Sequence, residues 1–351
     1  MPACGRQDGP HLDVFFPYLL SDCLLFKKLF FLLLLMGALG AGGVHWWSTA
    51  SLTPAGAAPI DFTILPGSGV RSSAEQIAAA GVPVNPWLFE LLARASGRSA
   101  RMKAGSYTIK PGTTPMRLID QLVRGEFAQE SLAVIEGWTF AQMREAIGAH
   151  PSLKHETSTW TDAELMAKLT PEQGAPEGRF FPDTYRFARQ ASDLSVYRQA
   201  FALMQKKLDV QWATRAADLP YQTPYQALIM ASIVEKETGR RADRSLIASV
   251  FVNRLQRGML LQTDPTVIYG MGKAYDGKIR KRDLQTDTAF NTYTRAGLPP
   301  TPIALPGEAA LQAALHPAPS NALYFVSRGD GTSQFSENLG DHNRAVNQYQ
   351  R

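Results

Sequence analysis

The feature that most constrains this chain is a run at positions 29–47, LFFLLLLMGALGAGGVHWW, that contains no Asp, Glu, Lys or Arg. As an α-helix it would be about 28 Å long, enough to cross the hydrocarbon core of a bilayer once. Lys27 and Lys28 precede the run, and the next Lys or Arg after it is Arg71. This asymmetry predicts one membrane-spanning helix, a cytoplasmic tail at 1–28 and the bulk of the chain on the other side of the membrane. A cleaved signal peptide is the alternative.

The composition is that of a folded and mildly basic protein. Hydrophobic residues make up 45% of the 351 residues and charged residues 19%, which excludes a disordered chain. Two cysteines exclude a disulfide scaffold and zinc sites built from several cysteines. The formal net charge of +5 suits a membrane surface, an anionic polymer or nucleic acid. No arginine-rich helix, zinc finger or aromatic-basic motif favours nucleic acid.

Beyond the apolar run, the patterns predict a linker at 48–60 and two α+β domains, at 61–130 and 131–351. The smaller domain is predicted to contain strands and helices in alternation: a strand at 62–65, a helix from Ser73 to Ala80, a helix at 86–95, a strand at 104–110 and a helix between Thr114 and Gly125. Trp87, Leu88, Leu91 and Leu92 should share the buried side of the second helix.

The larger domain is predicted to be mainly helical and to end in mixed structure. The expected elements are a strand at 132–135, helices at 193–217, 224–238, 243–257 and 307–315, a strand at 323–326 and a closing helix from Asn338. This pattern places the domain in the α+β class, and strand order cannot be derived from it.

Glu237 is the carboxylate best placed for acid chemistry. On a helical wheel of 224–238 it shares a stripe with Met230, Ile233 and Val234, whereas Glu235 points away. Burial on such a stripe raises the pKa of a carboxyl group and suits it to be a general acid for glycosidic cleavage. The open alternative is a helix-end Glu237 whose head reaches solvent. Glu235 is interpreted as a solvated pair with the adjacent lysine.

Two later polar segments are candidates for ligand binding. In the first, Gln262, Thr263 and Asp264 precede a proline, so that Asp264 could be a helix N-cap. In the second, Asn291 and Tyr293 lie just before a Gly-Leu-Pro-Pro turn. Amide, hydroxyl and phenol groups suit sugar hydroxyls, and a capped turn explains the same residues without a ligand.

Other chemistries find little support in the sequence. The six histidines form no metal-binding spacing, and there is no nucleophile elbow, P-loop or dinucleotide fingerprint. The basic cluster at 278–282 is typical of a solvated loop, and it could also meet an anionic polymer or lipid.

Four segments together resemble the MltG/YceG-like family of endolytic murein transglycosylases of the bacterial inner membrane. They are ASIVEKETG at 231–239, LQTDPTVIYGMG at 261–272, FNTYTRAGLPPTPIALPG at 290–307 and EGRFFPDTY at 177–185. The resemblance is strongest over 131–351. The 26 residues ahead of Lys27 look longer than a typical N-terminus of this family.

The resemblance implies a LysM-like peptidoglycan-binding module at 61–130 and a catalytic domain at 131–351. The catalytic domain would cleave the bond between N-acetylmuramic acid and N-acetylglucosamine and leave a 1,6-anhydro end. Glu237 corresponds to the catalytic glutamate of the family. Gln262, Thr263, Asp264, Asn291 and Tyr293 are carried over as substrate-binding residues.

The resemblance also implies that no metal or organic cofactor is needed. The expected partners are peptidoglycan strands, the membrane and cell-wall synthesis proteins, with the catalytic domain in the periplasm. Two alternatives remain at this point: a muramidase, which is a hydrolase, in which Asp264 positions water or acts as the nucleophile, and a non-catalytic, membrane-anchored wall-binding protein.

Overall fold

The structure is a computed structural model, and it describes residues 16–172 and 174–350. Its contacts divide the chain into two compact units, and the boundary in the sequence lies between Ala128 and Gln129. The sequence placed this boundary two residues later. The chain mixes helices and short two-stranded sheets, so the predicted α+β class is confirmed.

The first unit begins with a single long helix, α1 (Phe16–Thr49). Within it, Lys27–Thr49 is long and apolar enough to cross a membrane, and the predicted run at 29–47 lies inside that segment. Residues 1–15 of the predicted cytoplasmic tail lie outside the described residues. Residues 16–28 of the predicted tail form the first part of α1.

Two strands of the first unit form an antiparallel pair: β1 (Ile60–Ile64) and β2 (Gly105–Ile109), with Ile60 opposite Ile109. Alternate side chains of the pair are buried, as expected of a sheet with one face on a core. Leu52 packs into the same core, and its N–H donates to the Thr113 carbonyl at 2.8 Å. Part of the segment predicted as a linker therefore belongs to the core of this unit.

Three helices cover this sheet: α2 (Val70–Ala79), α3 (Pro86–Ala95) and α4 (Pro115–Arg124). The predicted capping of α4 is confirmed, since the Thr114 hydroxyl accepts from a first-turn N–H and Gly125 ends the helix at φ 71°. The prediction that α2 begins at Ser73 is wrong, because its N-cap is Gly69 and Ser73 is buried inside it.

The predicted buried side of α3 is also partly wrong. Its buried residues are Phe89, Leu92 and Ala93, whereas the side chains of Trp87 and Leu91 are exposed. The hydrophobic pattern of α3 is wide enough to fit two faces, so spacing alone does not identify the one that packs.

The second unit begins with small strand pairs around a few helices. Its first elements are β3 (Gln129–Ala133), α5 (Phe140–Gly148), β4 (Leu153–Lys154), α6 (Asp162–Ala167), β5 (Thr184–Ala188), β6 (Ala191–Ser192) and α7 (Asp193–Ala213). Strands β3 and β5 pair antiparallel, and β4 and β6 pair parallel. Aromatic rings fill the core between them, with Phe140, Phe180 and Tyr197 in mutual contact.

The rest of the second unit is built around one buried helix, α8 (Pro224–Glu237). Around it and beyond it follow α9 (Arg241–Gln256), α10 (Asp264–Met271), α11 (Lys281–Gln285), α12 (Glu308–Leu315), β7 (Tyr324–Ser327), β8 (Ser333–Ser336) and α13 (Leu339–Tyr349). Helices α7, α9, α10 and α12 all contact α8, and β7 pairs antiparallel with β8. The helices, β7 and the closing helix predicted from sequence occur within a few residues of the expected bounds.

Candidate active site

Glu237 is the last residue of α8, the helix at the centre of the second unit. Thr223 caps the helix through its hydroxyl and Pro224 occupies its first turn, as the sequence indicates. The chain leaves the helix at Thr238 in an extended conformation. The buried helix α8 thus fixes the backbone of Glu237, and the side chain of Glu237 lies at the end of that helix.

The helical-wheel argument identified Glu237 on a premise that the structure corrects. All eight residues at 227–234 are buried, so α8 has no single apolar stripe. What distinguishes Glu237 is its position at the helix end beside a cleft. A helix surrounded by other elements on all sides cannot be recognised from an amphipathic pattern.

Two cavities meet at Glu237. One, of about 540 Å³, is also lined by Gln262, Asp264, Tyr293 and Arg254. The other, of about 550 Å³, is lined by residues that follow Glu237 and by the β7–β8 hairpin. Glu237 therefore lines two adjoining open spaces, an arrangement that suits an extended ligand.

Burial in this cleft raises the pKa of the Glu237 carboxyl above its ordinary value, and the nearby charge of Asp264 acts in the same direction. A hydrogen bond from the Thr263 hydroxyl to Oε1 and the positive charge of Arg254 oppose the shift. Burial is the largest of these effects, so the site favours the protonated acid.

Thr263 and Gln262 belong to the loop before α10. Thr263 is buried; its N–H donates to the Thr292 hydroxyl at 3.1 Å and its own hydroxyl donates to Glu237. Gln262 has a φ of 54°, a left-handed conformation that is costly for a residue other than glycine, and its exposed side chain lines the cleft. The two residues thus differ in role: Thr263 holds Glu237, and Gln262 is open to a ligand.

Asp264 and Tyr293 form a pair that lines the same cavity. The Tyr293 hydroxyl donates to Asp264 Oδ1 at 2.6 Å. Burial and the neighbouring Asp264 carboxylate raise the pKa of Tyr293, so the phenol keeps its proton. The prediction that Asp264 is the N-cap of α10 is wrong by one residue, because Thr263 holds that position and Asp264 is in the first turn.

Asn291 does not reach the cleft. It is buried, and its side-chain N–H groups donate to the carbonyls of Asp283, Leu284 and Thr286 while its Oδ1 accepts from the Tyr293 N–H. An amide whose donors and acceptor are used within the protein has little capacity left for a ligand. The structure therefore places Asn291 as a support for the Tyr293 loop.

Sequence reasoning missed Arg254, on α9. It is buried beside the cleft, where Nε donates to the Leu323 carbonyl and Nη1 to the Leu261 carbonyl, each at 2.7 Å. Its guanidinium group thereby joins β7 to the loop that leads to Gln262. No motif signals this role, because the carbonyls of Leu261 and Leu323 belong to two segments that are far apart in the sequence and come together only in the fold.

The interpretation of Glu235 as a solvated partner of Lys236 is wrong. The Glu235 side chain is only 5% exposed and pairs with Arg244, itself 8% exposed, at 3.1 Å. The Gly307 N–H donates to its second oxygen at 2.9 Å. Burial raises the pKa of Glu235, and the Gly307 and Arg244 contacts oppose that shift. Its partners mark Glu235 as a structural carboxylate.

Glu177 is a third buried carboxyl group, away from the cleft. It opens the motif at 177–185, but the sequence predicts no role for it. The Phe140 N–H donates to Oε1 at 2.9 Å and the Tyr269 hydroxyl donates to Oε2 at 3.0 Å. Glu177 thus joins the start of α5 to α10, the helix whose first residue is Asp264.

Burial raises the pKa of Glu177 to about 7, from an ordinary value of 4.5. A raised carboxyl pKa stabilises the fold fully below pH 4.5, and this contribution is lost as the pH rises through 7. We expect a Glu177→Gln variant not to lose this part of its free energy of unfolding as the pH rises, because glutamine does not ionise. The wild-type free energy of unfolding should fall relative to the variant by about 3 kcal/mol between pH 4 and pH 8. Urea unfolding at both pH values measures the difference, and parallel pH curves would contradict it.

Among the described residues, no three His, Cys, Asp or Glu side chains are arranged to hold a metal ion. The cleft brings together one carboxyl group whose pKa is raised by burial, one tyrosine–aspartate pair and one buried guanidinium group.

Comparison with known proteins identifies the class to which this fold and cleft belong. The chain is a member of the YceG-like family, whose model matches residues 62–348. A Bacillus subtilis relative named endolytic murein transglycosylase is 31% identical over 83% of this chain and 84% of its own length. A Streptococcus pneumoniae relative of the same name is 28% identical over 80% of this chain and 56% of its own length.

A solved structure resembles the chain as well. It is the crystal structure of a YceG-like protein from Listeria monocytogenes, 29% identical, with a TM-score of 0.53. The likeness covers 82% of this chain and 99% of that one.

Proposed function

We propose that this protein is an endolytic murein transglycosylase, which cleaves peptidoglycan strands within their length. The observation that carries the proposal is Glu237, whose carboxyl pKa is raised by burial and which lines two cavities. The name shared by the Bacillus and Streptococcus relatives supports the same activity. A cleft that continues on both sides of the acid suits cutting inside a strand.

In the proposed reaction one carboxyl group acts twice. Protonated Glu237 donates its proton to the glycosidic oxygen between N-acetylmuramic acid and N-acetylglucosamine, and the C1–O bond breaks. The Glu237 carboxylate then accepts the proton of the muramic C6 hydroxyl, whose oxygen bonds to C1. The product is a 1,6-anhydro ring, no water is consumed, and Glu237 returns to its protonated state.

The groups around Glu237 fit this cycle. The Thr263 hydroxyl holds Oε1, which leaves Oε2 to carry the proton. The Asp264 carboxylate, paired with Tyr293, contributes negative charge near the positive charge that develops at C1. Gln262 and Tyr293 are proposed to bind the sugar, and Asn291 to act through the Tyr293 loop.

The remaining parts of the chain suggest where the reaction occurs. We propose that α1 anchors the protein in the inner membrane with both units in the periplasm, that the first unit is LysM-like and binds glycan, and that cleavage terminates growing strands. Cell-wall synthesis proteins in the same membrane are the expected partners.

The test is a product analysis. The full-length chain in detergent is incubated with purified peptidoglycan, and the released fragments are analysed by mass spectrometry. The proposal expects fragments that end in 1,6-anhydro-muramic acid. Fragments one water molecule heavier, with reducing ends, would establish a muramidase in which Asp264 directs water. No fragments from a folded protein that binds peptidoglycan would favour a wall-binding role.

A further inference from the structure

His342, on α13, lies in the cleft although no role follows from its place in the sequence. It lines the same cavity as Glu237 and Tyr293. Its ring stacks on Tyr324 of β7, with ring centres 5.1 Å apart and planes at 25°. The Arg254 guanidinium group lies over the same Tyr324 ring, at 5.1 Å. The imidazole is thus the outer member of a stack that begins at the buried cation.

The two ring nitrogens of His342 are in different surroundings. Nδ1 is buried and has no hydrogen-bond partner among the described residues. Nε2 also makes no hydrogen bond within the described part of the chain, and it is not enclosed as Nδ1 is. His342 therefore lines the cavity with one ring nitrogen that is accessible and without a partner among the described residues. Burial and the positive charge of Arg254 lower the pKa of His342, which keeps the ring neutral near pH 7.

A neutral imidazole in this setting has the features of a sugar-binding group. Its Nε2 can donate or accept a hydrogen bond, according to the tautomer, and so fits a hydroxyl or an acetamido group. Stacking on the Tyr324 ring fixes the orientation of the imidazole. A bound ligand could therefore provide the hydrogen-bond partner that Nε2 lacks within the described part of the chain.

We propose that His342, held by stacking on Tyr324, contacts the saccharide unit that occupies the cavity next to Glu237. The ligand class is an N-acetylated hexose within a longer strand. The inference rests on the proposed function for the identity of the strand, but the contact itself is a binding interaction and requires no cleavage.

The experiment separates binding from turnover. In the full-length Glu237→Gln protein, which is expected not to cleave, titration calorimetry measures the Kd for a hexamer of β-1,4-linked N-acetylglucosamine. Adding His342→Ala is expected to raise Kd about tenfold, because it removes both the hydrogen bond and the ring. His342→Phe, which keeps the ring, should raise Kd by only a few-fold. Asn347→Ala, exposed on the same helix and lining neither cavity, is the matched control and should leave Kd unchanged.

The parallel measurement uses cleavage. With Glu237 intact, His342→Ala is expected to raise KM about tenfold with kcat changed little, since a substrate contact outside the reacting atoms acts on binding. A folded His342→Ala variant with unchanged Kd and KM would overturn the proposal. Should the variants fail to fold, the native imidazole is observed directly by ¹⁵N NMR. A His342 signal that shifts on saturation with the hexamer supports the contact, and an unmoved signal overturns it.

These readouts keep the two proposals distinct. A protein that binds the hexamer through His342 but releases no fragments would contradict the proposed activity and support the His342 contact. A protein that releases anhydro fragments equally well without His342 would contradict the contact and support the activity.

Discussion

The Glu237→Gln variant is expected to cleave peptidoglycan about 10³-fold more slowly than the wild type, with its fold intact. A positioned general acid contributes about 10²–10⁴-fold to a rate, and here the same group must also accept a proton. Glutamine keeps the shape of the side chain and can accept from the Thr263 hydroxyl, but it cannot release a proton. Release of labelled fragments at saturating peptidoglycan measures the ratio.

The comparison variant is Asp264→Asn, in the same cavity. If one carboxyl group performs both proton transfers, Asp264→Asn should be slower by about tenfold, the effect of a lost electrostatic contact, and its products should still be anhydro fragments. Equal losses in the two variants would contradict the single-acid mechanism, because they would show that two carboxylates take part in the chemistry.

The stability of the Glu237→Gln variant provides an independent check on the acid. Burial raises the pKa of Glu237, so the protonated form favours the folded state and this contribution is lost as the pH rises above the ordinary carboxyl range. The variant should therefore unfold at a higher temperature than the wild type at pH 8 and at a similar temperature near pH 4. A variant less stable than the wild type at pH 8 would show that the carboxylate is held by favourable contacts.

Local signals in the sequence predicted the limits of α4 and the start of α8, although they misplaced the start of α2. Thr114 and Gly125 bound α4, and Thr223 with Pro224 starts α8, because capping and φ preferences depend on a few adjacent residues. The same signals could not tell which side of a helix is buried. Helix α8 is surrounded by four other helices, so the difference between Glu235 and Glu237 depends on neighbours that periodicity does not describe.

The family resemblance supplied Glu237 and the two loops of the cleft, but residue type alone did not separate binding groups from supports. Asn291 has an amide group that could bind a sugar, but this amide hydrogen-bonds to the backbone of the protein instead. Arg254 and His342 resemble ordinary helix residues and reach the cleft because β7 packs on α9 and α13 packs on β7. Contacts between segments so distant in sequence arise from tertiary packing and leave no short motif.

Glu235→Ala is expected to destabilise the second unit by about 3–5 kcal/mol. The substitution leaves the Arg244 guanidinium group buried without its carboxylate and the Gly307 N–H without its acceptor. Lys236→Ala is the matched control, because Lys236 is adjacent and exposed, and within the described part of the chain its side chain hydrogen-bonds only to the Gly137 carbonyl, at 3.2 Å. It should change stability by less than about 0.5 kcal/mol. Urea unfolding monitored by circular dichroism measures both.

The cause of the loss is tested by removing both charges. In the Glu235→Leu/Arg244→Met double variant no unpaired charge remains, so it should be more stable than either Glu235→Leu or Arg244→Met alone. Additive losses would show that the two side chains act through packing rather than through their charges.

The Glu235→Ala variant also tests whether Glu235 takes part in the reaction or only stabilises the end of α8. Arg244 also reaches the Thr238 carbonyl, at 3.5 Å, so the ion pair supports the backbone on both sides of Glu237 without touching its carboxyl group. Glu235→Ala should therefore keep its cleavage rate within about tenfold of the wild type at temperatures where it is folded. A loss as large as that of Glu237→Gln in folded protein would assign Glu235 to the reaction itself and contradict its structural role.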